Sequence, residues 1–211
     1  MALSLDKHVM SNPALSAHVD LKLDFSGFYK DWKSTNVSEC QTSSLWSECQ
    51  VNTYHLCAQV GNKQAAWWKY SACMFAHQYP HEECAGPNPW ANSTCTPATF
   101  LKLVTSVSDN CAAAAGIDAA AVKSCVTDGK GVELLKASYK KTVTFPTDKK
   151  GYPEPEWVQV DGPSCEKMGW DGCKGSFDKT GCLTWDNCDP EAWGKHMAAV
   201  VCKKAGLLQC P

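Results

Sequence analysis

Fourteen cysteines in a chain of 211 residues constrain this sequence more than any other feature. Their number is even, and they run from Cys40 to Cys210. Structural zinc sites use C-x2-C knuckles, and no two cysteines here are three positions apart. Chains so rich in cysteine are rare in reducing compartments unless they bind metal, so the pattern predicts disulfides formed in an oxidising lumen. The residues expected in disulfides are Cys40, Cys49, Cys57, Cys73, Cys84, Cys95, Cys111, Cys125, Cys165, Cys173, Cys182, Cys188, Cys202 and Cys210.

Charge and apolar patterning argue against several classes of protein. The 20 Lys and Arg nearly balance the 22 Asp and Glu, without a basic block, so no nucleic-acid partner is expected. The best apolar run, residues 111–122, contains Gly116 and Asp118 and is too short for a transmembrane segment. No phosphate-binding glycine pattern occurs, and we expect no cofactor.

Two features concern the compartment. Asn36 and Asn92 begin N-x-S/T sequons and are candidate glycosylation sites of a lumenal or secreted glycoprotein. The N-terminal MALSLDKHVM has neither the apolar core nor the cleavage site of a signal peptide. The sequence is therefore mature or incomplete, or its targeting is unconventional, and we favour an incomplete sequence. We expect a soluble or peripheral protein of the secretory or lysosomal pathway, the extracellular space or an organelle lumen.

Periodicity predicts both helices and strands. Apolar and polar residues alternate over residues 19–25, which predicts a half-buried strand, and residues 156–160 are predicted as another. Helical spacing and capping signals predict helices over residues 48–60, 63–77, 96–115, 118–126, 131–141 and 189–204. This order favours an α/β or α+β fold. The residues predicted to face inward on the first two helices are Val51, Tyr54, Cys57, Ala58, Ala65, Trp68, Ala72 and Phe75.

Spacing limits how the cysteines can pair. Cys49 and Cys57 lie eight residues apart on a predicted helix, about 12 Å along its axis, whereas a disulfide needs Cα atoms within about 7 Å. Each is therefore predicted to reach a partner on another element. Cys111 with Cys125, and Cys202 with Cys210, are possible local bridges. Residues 164–189 hold four cysteines and almost no aliphatic residues, and we predict an insertion stapled mostly by bridges among these four.

The spacing also carries a resemblance to a known family. Cys49-x2-Asn52-x4-Cys57, preceded by Glu48 and by Cys40-Gln41, resembles the signature C-Q-H-G-x2-E-C-x2-N-x4-C of the gamma-interferon-inducible lysosomal thiol reductase (GILT) family. The family's His-Gly is absent, and two extra residues separate Cys40 from Cys49. Later stretches are similar to the family in the same order: DGKG at 128–131, WVQVDG at 157–162 and the C-terminal Cys-Pro.

The resemblance implies one thioredoxin-like domain over residues 1–211, with a helical insertion and the cysteine-rich insertion at 164–189. The family reduces protein disulfides with a C-x-x-C pair, whose first thiolate attacks and whose second resolves the mixed disulfide. That pair is absent from this sequence, and no catalytic residue is assigned. At the position of the fold's cis-proline stands Glu156, with Pro155 one residue early.

The sequence is compatible with three hypotheses about function. The first is a non-catalytic relative that serves as a structural or accessory subunit, or as a binding module, with protein partners in a larger assembly. The second is a thiol–disulfide oxidoreductase whose C-x-x-C pair lies upstream of residue 1. The third is a secreted, disulfide-rich interaction protein whose likeness to the family is coincidental.

Other residue clusters are weighed against simpler interpretations. His77, His81 and Cys84 have a spacing that could bind metal, but Cys84 is expected in a disulfide, so no metal site is predicted. His55 could serve a thiol as a base, although a surface or hydrogen-bonded histidine is the favoured interpretation. Tryptophans could line a ligand or pigment cleft, but they are predicted to be core or rim residues. The tryptophans in question are Trp67, Trp68, Trp157 and Trp193.

Overall fold

Helices account for the regular structure throughout the part of the chain that can be described. The computed structural model describes residues 2–25, 46–77, 97–142 and 190–208, and no strand occurs within these ranges. The chain divides into two compact units, residues 22–154 and residues 1–21 with 155–211.

Six of the helices correspond to those predicted from the sequence. In chain order, the elements are α1 (Ala2–Leu5), a π-helical turn (Asp6–Met10), α2 (Pro13–Ser16), α3 (Trp46–Gln59), α4 (Gln64–Ala76), α5 (Pro97–Ala115), α6 (Ala119–Thr127), α7 (Lys130–Thr142) and α8 (Pro190–Lys204). The predictions for α3 to α8 are confirmed to within about two residues at each end, which is the usual uncertainty of a helix boundary.

Local capping chemistry explains why these predictions succeed. The Asp118 carboxylate accepts hydrogen bonds from the backbone N–H groups of Ala120 and Ala121, at 2.9 and 3.3 Å, and so starts α6. Gly116 has a φ of 71°, a left-handed conformation that glycine adopts without steric cost, and it ends α5.

Helix α3 is the central element of the unit formed by residues 22–154. It packs against α4, α5, α6 and α7, and every residue from 53 to 58 is buried, as expected for a helix covered on most sides. Cys49 and Leu56 of α3 form a core cluster with Leu135 and Tyr139 of α7. The inward positions predicted on α3 are confirmed.

The strand predicted over residues 19–25 is wrong. The apolar residues of this stretch are more buried than Asp20 and Lys22, so the alternation is real, but the segment belongs to no strand. Its backbone pairs with helix side chains instead. Gln59 accepts from the Leu23 N–H at 2.8 Å, and the Ser138 hydroxyl accepts from the Phe25 N–H at 2.6 Å. An alternating pattern therefore reports one-sided burial here, without a sheet.

Helix α4 confirms part of the prediction about tryptophans. Trp67 and Trp68 are both buried and meet edge to face, with ring centroids 5.9 Å apart. Ala65 was predicted to face inward and is exposed, which corrects that assignment. Trp157 and the side chain of Trp193 lie outside the described residues.

In the other unit, α8 packs against α1, α2 and the π-helical turn. Val9 and Leu15 are fully buried there. Gly194 allows a close approach between helices, because a Cβ atom at this position would lie 2.1 Å from Ser4 Oγ. The strand predicted at residues 156–160, the insertion at 164–189 and the Glu156 position all lie outside the described residues.

Candidate functional site

Cysteine chemistry defines the candidate site, because redox activity in this chain would require a free or reactive thiol. Six cysteines fall within the described residues, and none of them is a free thiol. The prediction that Cys49 and Cys57 do not pair with each other is confirmed for Cys57, whose partner is Cys125. Cys49 and Cys202 are also disulfide-bonded.

The first bridge joins α3 to α6. The Cα atoms of Cys57 and Cys125 lie 5.8 Å apart, within the usual range for a disulfide. Cys57 is buried and Cys125 is half-buried. Gly131 of α7 packs against this bridge, since a Cβ atom there would lie 3.1 Å from Cys57 Sγ and 3.3 Å from the Cys125 carbonyl oxygen. The bridge thus leaves little room for a side chain at Gly131, the last glycine of the DGKG stretch at 128–131.

The second bridge joins α4 to α5. It pairs Cys73 with Cys111, with Cα atoms 5.6 Å apart, and Cys111 is fully buried. The local bridge predicted between Cys111 and Cys125 is therefore wrong. Those two cysteines are close in sequence, but the packing of α4 on α5 and of α3 on α6 gives each a nearer partner.

Three of the four cysteines in these bridges lie at the C-terminal ends of helices. Cys57, Cys73 and Cys125 lie in the last turn of α3, α4 and α6, and Cys111 lies near the end of α5. The helix dipole places partial negative charge at this end, which disfavours a thiolate. Reactive cysteines are usually found at the opposite end, where the dipole lowers the thiol pKa. The positions of Cys57, Cys73 and Cys125 therefore favour a structural role.

His55 lies at the centre of the unit, two residues before Cys57, and it is completely buried. Neither imidazole nitrogen has a hydrogen-bond partner among the described residues. Burial lowers the pKa of His55 from 6.5 to about 3, so the ring is neutral at ordinary pH. The interpretation of His55 as a surface or hydrogen-bonded residue is wrong, and no free thiol in the described part of the chain is available for it to serve as a base.

Among the described residues, three aromatic rings lie against His55. Phe75 stacks on it with a centroid distance of 4.3 Å, Tyr70 meets it edge on at 6.4 Å, and Phe25 lies at 5.7 Å. The Tyr70 hydroxyl shares a buried hydrogen bond of 2.8 Å with Ser108 Oγ on α5. Sequence reasoning missed Tyr70 and Ser108 because residues 38 positions apart carry no joint local signal.

Most of the other predicted site residues are outside the described part of the chain. These are Cys40, Gln41, Asn36, Asn92, His81, Cys84, Cys95, Cys165, Cys173, Cys182, Cys188, Cys210 and the side chain of Glu48. The signature residue Asn52 lies on α3 and is half-buried. Within the described ranges, no group of three or more potential ligand side chains could hold a metal ion.

These observations define a class of protein: a helical region with buried disulfides, which form in an oxidising environment. Residues 4–96 match the family model for gamma interferon inducible lysosomal thiol reductase (GILT). The match confirms the resemblance predicted from the signature, and the similar stretches after residue 96 lie outside it. No curated protein and no solved structure matches the chain.

Among the helices described, none has both the length and the apolar character that a membrane crossing would require.

Proposed function

We propose that this protein is a non-catalytic member of the thiol reductase family, a disulfide-braced structural subunit or binding module of an oxidising lumen. One observation carries the proposal: every described cysteine is in a disulfide, and each of the two bridges with described partners contains a buried cysteine, Cys57 or Cys111. A thiol reductase needs an accessible thiolate that attacks and a second thiol that resolves the mixed disulfide.

The position of the bridges supports this assignment. The sulfur atoms of Cys57 and Cys111 are shielded by packing, so a substrate disulfide would reach them only after the helices separate. The negative end of the α3 dipole also makes Cys57 a poor leaving thiolate, which slows thiol exchange at its bridge. Bridges of this kind hold helices together.

The test combines a thiol count with an activity assay. We expect no free thiols among the 14 cysteines under denaturing conditions, and no acceleration of the reduction of a fluorescent disulfide peptide by glutathione. The control is the same protein treated with iodoacetamide before the assay, which should behave identically. Turnover that iodoacetamide abolishes would overturn the proposal.

A second candidate function is favoured by the family match itself. On this alternative the protein is a thiol–disulfide oxidoreductase whose C-x-x-C pair precedes residue 1. The full-length transcript discriminates between the two. A C-x-x-C pair some 10 to 20 residues before Asp6, following an apolar strand-like run, would support the enzyme.

A thioredoxin-like sheet, a lumenal or secreted location and a protein partner are further parts of the proposal. Strand content is measurable by infrared spectroscopy in the amide I region, and a wholly helical spectrum would contradict the thioredoxin-like fold. The partner is tested by native mass measurement of the protein isolated from its source. A mass equal to that of the 23.0 kDa chain plus any glycans would contradict a stable complex.

A further inference from the structure

His55 occupies an unusual position for a titratable side chain. It lies in the last third of α3, the helix at the centre of the unit formed by residues 22–154, and has no exposed surface. Buried polar groups are almost always hydrogen-bonded, yet both of its ring nitrogens lack a partner among the described residues. The neutral ring is held by packing alone, chiefly by its stacking on Phe75.

Protonation would place an unpaired charge in this cluster. Among the described residues, the aromatic rings that face His55 are those of Phe25, Tyr70 and Phe75. Tyr70 is the titratable member of this set, and burial raises its pKa, so it stays neutral and supplies no negative charge. The face of Phe75 offers a cation–π attraction, which is smaller than the cost of burying an unpaired cation.

The described charged residues of the Phe25 segment, α4 and α5 do not compensate for this charge. Asp24, next to Phe25, is ion-paired with Lys141 of α7. On α4, Lys69 is exposed and carries the same sign as an imidazolium. On α5, Asp109 is exposed and acts on Tyr70. Burial is the cause of the lowered pKa of His55.

We propose that His55 is an acid-sensitive element of this unit: its ring is neutral while α3 packs against α4, and its protonation opens that contact. The direction of the pH effect on stability follows from the linkage between protonation and folding. A histidine whose pKa is lower in the folded than in the unfolded chain stabilises the fold fully above about pH 6.5, and this contribution is lost as the pH falls below that value. The ratio of open to closed forms rises up to tenfold per pH unit, about 100-fold at pH 4.5.

The two disulfides confine this opening. Cys57 lies two residues after His55 and ties the end of α3 to α6, while Cys73 lies two residues before Phe75 and ties α4 to α5. Both sides of the His55–Phe75 stack are therefore anchored close by. Acid would separate the rings and the facing turns of α3 and α4 without releasing either helix end.

Hydrogen–deuterium exchange of the intact protein at pH 7.5 and pH 4.5, corrected for intrinsic rates, tests the proposal. In the wild type, the opening equilibrium constant obtained from exchange in peptides that cover α3 and α4 should be about 100-fold larger at the lower pH. His55→Phe should remove most of this increase, while His18→Gln, a change at an exposed histidine, should leave it intact. Equal pH dependence in the wild type and His55→Phe would overturn the proposal.

A second measurement does not depend on the folding of a variant. The NMR signals of the His55 ring in the wild-type protein should stay those of a neutral imidazole down to about pH 4, as long as the fold persists. Titration of His55 near pH 6.5 in the folded state, at the value of an ordinary histidine, would equally overturn the proposal.

Discussion

The Cys57–Cys125 bridge offers the sharpest test of what stabilises the helical unit. The two described disulfides are nested, since the Cys73–Cys111 bridge, with a separation of 38 residues, lies within the 68-residue span of Cys57–Cys125. A disulfide stabilises a fold mainly by restricting the unfolded chain, and the size of the effect depends on the loop that it closes.

Because the bridges are nested, the stabilisation that each one contributes depends on whether the other is present. With the inner bridge in place, the outer one closes only about 30 further residues, so Cys57→Ala/Cys125→Ala should cost about 3.6 kcal/mol in the free energy of unfolding. Cys73→Ala/Cys111→Ala should cost about 3.1 kcal/mol by the same loop-entropy relation, because the outer bridge then still closes the whole span. Removal of both should cost about 7.5 kcal/mol, within the range of the total stability of a typical domain.

Urea unfolding of the three variants and the wild type measures these losses. The midpoint should fall and the m value should rise, because a chain with fewer cross-links exposes more surface when it unfolds. The missing sulfur atoms also leave small cavities that lower stability, but cavities leave the m value unchanged. A change in the m value therefore identifies the loss of the cross-link. A loss below about 1 kcal/mol with an unchanged m value would refute the reasoning.

Three further substitutions test individual contacts. Gly194→Ala should destabilise its unit by about 1–3 kcal/mol, seen as a lower melting temperature, because the new Cβ would lie 2.1 Å from Ser4 Oγ. Tyr70→Phe should cost about 1–3 kcal/mol in urea unfolding, since it leaves the buried Ser108 hydroxyl without its partner. Asp118→Ala should cost about 1 kcal/mol and increase hydrogen exchange in the first turn of α6, because the cap is lost.

Matched controls distinguish these effects from general damage. Ala199→Ser on the exposed face of α8 should leave the melting temperature nearly unchanged. Tyr54→Phe removes a hydroxyl whose partner Thr105 is only half-buried, so its cost should be smaller than that of Tyr70→Phe. Asp109→Ala replaces an exposed carboxylate inside α5 and should not loosen any helix start. If a variant and its control have equal effects, the contribution assigned to that contact is contradicted.

Helix positions were predictable because their signals are local. Asp118 caps α6 through its own side chain, and Gly116 ends α5 through its own backbone freedom. The family match over residues 4–96 was predictable for a similar reason, because the spacing of Cys49, Asn52 and Cys57 lies within a single helix.

The errors arose where the outcome depends on distant residues. The alternation over residues 19–25 predicts a strand, but the side chains of Gln59 and Ser138 take its hydrogen bonds. Cys111 pairs with Cys73 because α4 packs on α5. The burial of His55 depends on three rings from two other segments, and its own sequence surroundings did not distinguish it from an exposed histidine.

The nested bridges also govern the fate of the protein after a break in its chain. Both span residues 78–96, so a protease cut anywhere in that stretch leaves the two fragments covalently joined through Cys73 and Cys111 and again through Cys57 and Cys125. On a denaturing gel, nicked protein would run as one species until reductant is added and as two afterwards. In a lumen that contains proteases, such a molecule would survive clipping as a single two-chain protein.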